Sequence, residues 1–206
     1  MSAVLNAERI RRDVVVLGAS AGGVSPLREL LAKLPADIEA AIAVVLHRSP
    51  VVASALAAVL GWRSALPTHD AVDGAALTPG RVFIAPRDQH LIMDDGILRL
   101  SRGPKEHHTR PAIDPLFRSA ARSYARRVVG VLLSGTGDDG VSGLIAITAA
   151  GGITLVQDPA EAAYPQMPRS GILNDRVQAA LGVGEIADTL TALSRGESVT
   201  LVQRPA

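Results

Sequence analysis

A chain of 206 residues with a formal net charge of +1, 48% hydrophobic and 20% charged residues has the composition of an ordinary globular protein, long enough for one sizeable α/β domain. An aromatic share of 2%, with arginines scattered along the chain, argues against nucleic acid as a partner, and the absence of cysteine excludes disulfides, thiolate metal sites and a cysteine nucleophile. No signal-like start and no run of about 18 apolar residues occurs, so the expectation is a cytoplasmic chain without membrane insertion.

The apolar run VVVLG at 14–18 predicts a buried strand, followed by a helix near 25–34; AIAVVLH at 41–47 predicts a second strand, followed by a helix over 51–60. Such alternation is the mark of βαβ units and a parallel sheet. RVFIAP at 81–86 predicts another strand, and HLIMDDGILRL at 90–100 a hairpin turning at Asp95-Gly96, a pair that tolerates the positive φ values of a two-residue turn. The polar stretch 101–111 reads as loop, and AIDPLFRSAARSYARR as a helix with Pro115 near its first turn. Next come a buried strand, VVGVLLSG, the loop TGDDG, a helix, VSGLIAITAA, and another strand, GITLVQ. DPAEAAYPQMPRSGILND reads as loop plus short helix, and the end from residue 184 as amphipathic helix with a short apolar tail. No repeat or linker divides the chain. The expected architecture is therefore one α/β domain over 1–206, with its core at 13–194: a doubly wound, mostly parallel sheet in a Rossmann-like three-layer arrangement, with an antiparallel β-hairpin insertion.

Gly18-Ala19-Ser20-Ala21-Gly22 fits G-x-S-x-G, a strand-to-helix turn whose small neighbours let a serine hydroxyl project. Taken alone, the pattern is shared by a nucleophile, a phosphate-cradling loop and a plain tight turn. A P-loop needs Gly-Lys-Ser/Thr, and a dinucleotide fold needs a different glycine spacing and an acid after the second strand. Here that position holds His47, followed by Arg48, which a nucleotide-binding reading would set near a phosphate. Side chains at the carboxyl ends of neighbouring parallel strands converge on one crevice, which brings together Ser20, His47 and one of Asp138 and Asp139. The acid would accept the imidazole N–H and fix its tautomer while His47 takes the proton from Ser20. The other aspartate is expected to cap the helix that follows. The chain order Ser, His, Asp differs from the Ser, Asp, His of the α/β-hydrolase superfamily. Glu106, His107 and His108 lie adjacent in a loop with no fixed-spacing partner, so no metal site is expected there. His69 and His90 flank the hairpin and are expected to serve local hydrogen bonding.

With Ser20, His47 and Asp139 in this order, the chain resembles the catalytic domain of CheB-type protein-glutamate methylesterases from about residue 13 to 194. The resemblance rests on GASAGG, VLHRSP, VFIAPRDQHL, HHTRPAIDPLF, GVLLSGTGDDGVSGL, AAGGITLVQDPAEAAYPQMP and RSGI, in family order. It implies a cofactor-free Ser-His-Asp hydrolase that cleaves glutamate methyl esters on a methyl-accepting chemoreceptor or other methylated signalling protein, and that also deamidates glutamines. The nucleophile then falls on Ser20, the base on His47 and the acid on Asp139, with the oxyanion held by backbone amides around Ala21 and Thr136. The family commonly has threonine where this chain has Ala21, methionine at Thr136 and often asparagine at Asp138. Arg110 is a candidate for positioning an acidic receptor segment, against a merely solvated arginine. Well-known members carry an N-terminal receiver domain, whereas 13 residues precede Val14 here; the corresponding expectation is either constitutive activity or control by a partner, a separate receiver or a signalling kinase. The alternative to the enzyme is a catalytically weak binding module for a receptor or kinase that uses the same crevice.

Overall fold

Five apolar runs become parallel strands because each can be buried on both faces, which a parallel sheet covered by helices requires. The computed structural model describes residues 10–48, 55–174 and 177–201. Strands β1 (Val14–Ala19), β2 (Ala41–Leu46), β7 (Val128–Leu132) and β8 (Ile153–Gln157) are buried along their whole length. They are joined by β4 (Val82–Ile84) and by two short edge strands, β3 (Thr68–Asp70) and β9 (Ala179–Leu181), in the order β3-β4-β2-β1-β7-β8-β9. Every pairing in this sheet is parallel. The two edge strands have no counterpart in the sequence reading: Thr-His-Asp is polar and Ala-Ala-Leu is too short to carry a period.

Helices α1 (Val24–Lys33), α2 (Leu56–Gly61) and α6 (Val183–Ser194) cover one face of the sheet; α3 (Ile113–Tyr124), α4 (Val141–Ala149) and α5 (Gln166–Asn174) cover the other. The core accordingly falls into two apolar clusters, one around Leu27, Leu30, Ile42 and Leu190, the other around Val16, Leu116, Phe117 and Leu144. The doubly wound three-layer expectation is met. Residues 51–54 of the helix expected over 51–60, and the end of the apolar tail, lie outside the described residues.

The hairpin forms as the Asp-Gly signal predicts. Strand β5 (His90–Asp94) pairs antiparallel with β6 (Ile97–Ser101), and Asp95 and Gly96 both take positive φ, 40° and 88°. Its buried side sends Leu91, Met93 and Leu98 against α3, where the Met93 amide donates to Ser119 Oγ at 3.0 Å. Among the described residues no helix is long and apolar enough to cross a membrane.

Candidate active site

Strand order reverses between β1 and β7: the chain moves from β1 outward to β2 and β4, then returns to lay β7, β8 and β9 on the other side. Open parallel sheets leave a crevice at the carboxyl ends of such a pair. Ser20 directly follows β1, His47 directly follows β2, and the loop of residues 133–140 follows β7. In the crevice His47 Nδ1 lies 3.1 Å from Ser20 Oγ and His47 Nε2 lies 2.6 Å from Asp139 Oδ2. The sequence-predicted trio is therefore brought into one hydrogen-bonded line. A carboxylate can only accept, so the neutral ring carries its proton on Nε2 and turns the Nδ1 lone pair toward the serine.

Asp139 is buried and fully occupied. Its Oδ2 also accepts the Ile113 amide at 2.7 Å, and its Oδ1 accepts the Asp114 amide at 3.0 Å. Burial alone would raise its pKa, but the His47 hydrogen bond and the two backbone N–H groups outweigh it and hold the carboxyl below its ordinary value. The expectation that one aspartate of the pair caps the following helix is corrected here. Gly140 occupies the N-cap of α4, at φ 98°, where an added Cβ would sit 2.5 Å from Leu132 and 2.8 Å from Ile113. Asp139 instead caps α3, satisfying amides at its N-terminus, while Asp114 in the first turn of α3 reaches back to accept the Gly143 amide of α4 at 2.7 Å. The two helices cap each other crosswise, and the acid of the line belongs to that lock.

His107 completes the lock, a role the sequence reading missed. It occupies a tight turn in which His107 and His108 take φ of 48° and 61°, closed by the Thr109 amide donating to Glu106 O and braced by Arg118 on both Glu106 oxygens. Its Nε2 lies 3.0 Å from Asp114 Oδ2 and 3.9 Å from Asp139 Oδ1, and its Nδ1 lies 3.2 Å from Asp138 Oδ1. An imidazolium, which donates from both ring nitrogens, suits carboxylates on both sides of the ring. Burial would lower the pKa of His107, but the Asp114 hydrogen bond and the charges of Asp139, Asp114 and Asp138 together raise it. Asp114 is itself pushed up, chiefly by burial, with the Asp139 charge acting in the same direction. His107, Asp114 and Asp139 offer ligand atoms within 4.8 Å of one another, the spacing of a cation site. Those carboxylate oxygens already accept protein N–H groups, which accounts for the cluster without an ion.

Around the serine the amides divide into engaged and open. The Ser20 amide donates to Ser134 O, Ser134 N–H to Gln157 Oε1 and Gly135 N–H to Tyr164 O. The amides of Ala21 and Thr136 have no acceptor among the described residues. Gly135 is required by close approach: an added Cβ would lie 2.9 Å from Ser20 Cβ and 2.7 Å from Met167 Cε.

Arg110 fits neither of its expected accounts. Its Nε and Nη2 bind Asp88 Oδ1 at 3.0 and 2.8 Å, and its Nη1 binds the carbonyls of Arg102 and Gly103, so it fastens the loop and is not offered to an acidic segment. Arg48 is likewise engaged, with Nη2 2.6 Å from Ala85 O and 3.5 Å from Asp70. His90 behaves as expected, buried between Pro104 O and the Ala112 amide; His69 is exposed on β3 with no hydrogen bond from its ring among the described residues.

The chain is thus a three-layer parallel α/β domain with a serine, a histidine and an aspartate in line at its switch point. The chain superposes on the Thermotoga maritima CheB methylesterase catalytic domain with a TM-score of 0.85 at 32% identity, covering 89% of this chain and 100% of that one. A curated protein-glutamate methylesterase/protein-glutamine glutaminase of Anaeromyxobacter dehalogenans is 44% identical over 92% of this chain, and one of Symbiobacterium thermophilum is 35% identical over 89%. The CheB methylesterase family model matches residues 15–190, and the chain belongs to that family. It spans about half the length of the curated relatives it matches, 55% and 51% of these two.

Proposed function

We propose that the protein is a serine hydrolase that demethylates glutamate methyl esters on a methyl-accepting chemoreceptor or another methylated signalling protein in the cytoplasm, with residues 13–194 as its working core. The observation that carries the reading is the line Ser20 Oγ, His47 Nδ1, His47 Nε2, Asp139 Oδ2, with contacts of 3.1 and 2.6 Å. Ser20 Oγ adds to the ester carbonyl as its proton passes to His47 Nδ1; the tetrahedral adduct then expels methoxide, which takes that proton and leaves as methanol. Water adds to the resulting acyl-serine by the same proton route, releasing the glutamate side chain and restoring Ser20. On a glutamine side chain the leaving group is ammonia, which makes deamidation the same reaction. Asp139 stays ionised and accepts the Nε2–H throughout, stabilising the imidazolium.

The open amides of Ala21 and Thr136 are the donors we assign to the oxyanion. Backbone donors do not depend on the side chain, so Ala21 in place of threonine leaves this contribution in place; removing one such donor from an oxyanion hole costs about 10²- to 10³-fold in rate. Methanol release from a methylated receptor fragment tests the assignment. Ser20→Ala is expected to lower turnover by about 10⁴-fold or more. A Ser20→Ala protein that turns over at the wild-type rate excludes the covalent route, and a wild type that releases no methanol leaves the weak binding module in its place.

A further inference from the structure

Beside the crevice runs a groove of about 380 Å³, open to solvent, between the loop after β7 and the outer side of α5. Thr136 closes its near end; Tyr164, Pro165, Arg169, Ser170 and Leu173 line the rest. Gln166, Arg169, Ser170 and Leu173 follow the i, i+3, i+4, i+7 spacing that puts residues on one helix face. Two large apolar side chains stand exposed along it, Tyr164 at 48% and Leu173 at 80%. The lining contains one cation, Arg169, no carboxylate, and Arg169 makes no ion pair among the described residues.

The groove is tied to the nucleophile's own loop. Gly135 N–H donates to Tyr164 O at 2.9 Å, the Met167 amide to Gly135 O at 3.0 Å, and the Tyr164 amide to Ser134 Oγ at 3.0 Å. Ser134 in turn accepts the Ser20 amide on its carbonyl and donates its hydroxyl to Ala21 O. A ligand held against α5 is therefore held in fixed register with Ser20.

Resting on the reading of Ser20 as the nucleophile for a protein-borne ester, we propose that this groove seats the substrate's own helix, gripping the residues that flank the esterified glutamate. From Gln166 to Leu173 the wall is about 10 Å long, two helical turns. That wall is a helix face that presents side chains and no open strand edge, which suits the helix-in-groove mode of recognition and not strand addition. The occupant's chemistry follows from the lining. An apolar residue about one turn from the ester covers Tyr164 and Leu173, and a carboxylate on the same face meets Arg169. Thr136 at the near end then stands beside the ester carbonyl. The groove would select acidic amphipathic helices over isolated glutamate esters and make the recognition determinant separate from the chemistry.

Binding can be measured apart from turnover. A dye-labelled synthetic helix of about 20 residues, ~30 Å long, carries one γ-methyl glutamate with a leucine and a glutamate one turn to either side. It is titrated into the full chain bearing Ser20→Ala, alone and combined with Arg169→Glu, Leu173→Ala or Trp62→Ala. Trp62, 76% exposed on the opposite layer with Arg28 over its ring, represents the competing apolar surface. The expected result is a Kd about tenfold weaker with Arg169→Glu or Leu173→Ala, as for a contact worth more than about 1 kcal/mol at an interface centre, and no change with Trp62→Ala. Loss with Trp62→Ala alone, equal affinity in all four proteins, or no binding to any of them each overturns the proposal. Since no turnover enters, a failure of the Ser20 assignment shows only in the methanol assay.

Discussion

His107 decides how pH acts on the buried acids. Its raised pKa means that the proton it holds in the fold contributes stability that is fully present below the unfolded value near about 6.5 and is lost as pH rises through the folded value. Asp114, raised by burial, moves in the same direction as pH rises; Asp139, lowered, has the opposite sense, keeping its contribution above the ordinary carboxylate range and losing it only as pH falls through its folded value. The expected outcome is a thermal midpoint for the wild type that exceeds that of His107→Gln below pH ~6.5, with the gap narrowing as pH rises above it. A gap that stays constant across that range contradicts the imidazolium assignment. Partial exposure of the ring keeps the effect modest. At this scale Ser20, His47 and Asp139 were legible, because the first two immediately follow strands, the third lies in the loop after another, and the sheet gathers the carboxyl ends of its strands at one crevice. His107 and Asp114 were not. Their meeting depends on where the N-terminus of α3 lands against the loop after β7, a tertiary fact with no spacing in the sequence; the only available hint was an aspartate in the first turn of a helix preceded by two histidines. Arg110 was legible as a cation but not as a fastener, since its acceptors are an aspartate 22 residues away and two backbone carbonyls.

The reciprocal capping of α3 and α4 ties the acid of the site to the helix layer. Asp114 satisfies the Gly143 amide in a buried setting, so its removal strands a donor as well as losing a cap. Asp114→Ala is expected to lower the free energy of unfolding by about 1–3 kcal/mol, measured by chemical denaturation, whereas Asp114→Asn, which keeps an oxygen for Gly143, loses less. Equal losses in the two variants would mean that the capping oxygen is not what matters. The helices and central strands were readable from period and length, and the hairpin from Asp95-Gly96, because these depend on local pattern. The edge strands β3 and β9 were invisible for the reason that such strands usually are: with three residues each, their strand character comes from pairing with β4 and β8 and not from their own composition.

Across the whole molecule, the parallel sheet acts as the alignment frame. Strands β1, β2 and β7 are locked on both faces by separate apolar clusters, so the residues that leave their carboxyl ends inherit fixed positions, and the relay of 3.1 and 2.6 Å contacts follows from that frame. The fold class and the crevice were legible in the sequence because alternating buried strands and helices permit few arrangements. The groove along α5 was not, since it depends on how a loop and a helix lie side by side. The most direct test of the central claim is the mass of the intact protein after exposure to a serine-directed phosphonate. A single adduct on Ser20, formed readily in the wild type and hardly at all in His47→Ala, is the predicted result. An unlabelled wild-type protein, or equal labelling in the two, would contradict a nucleophile activated by His47.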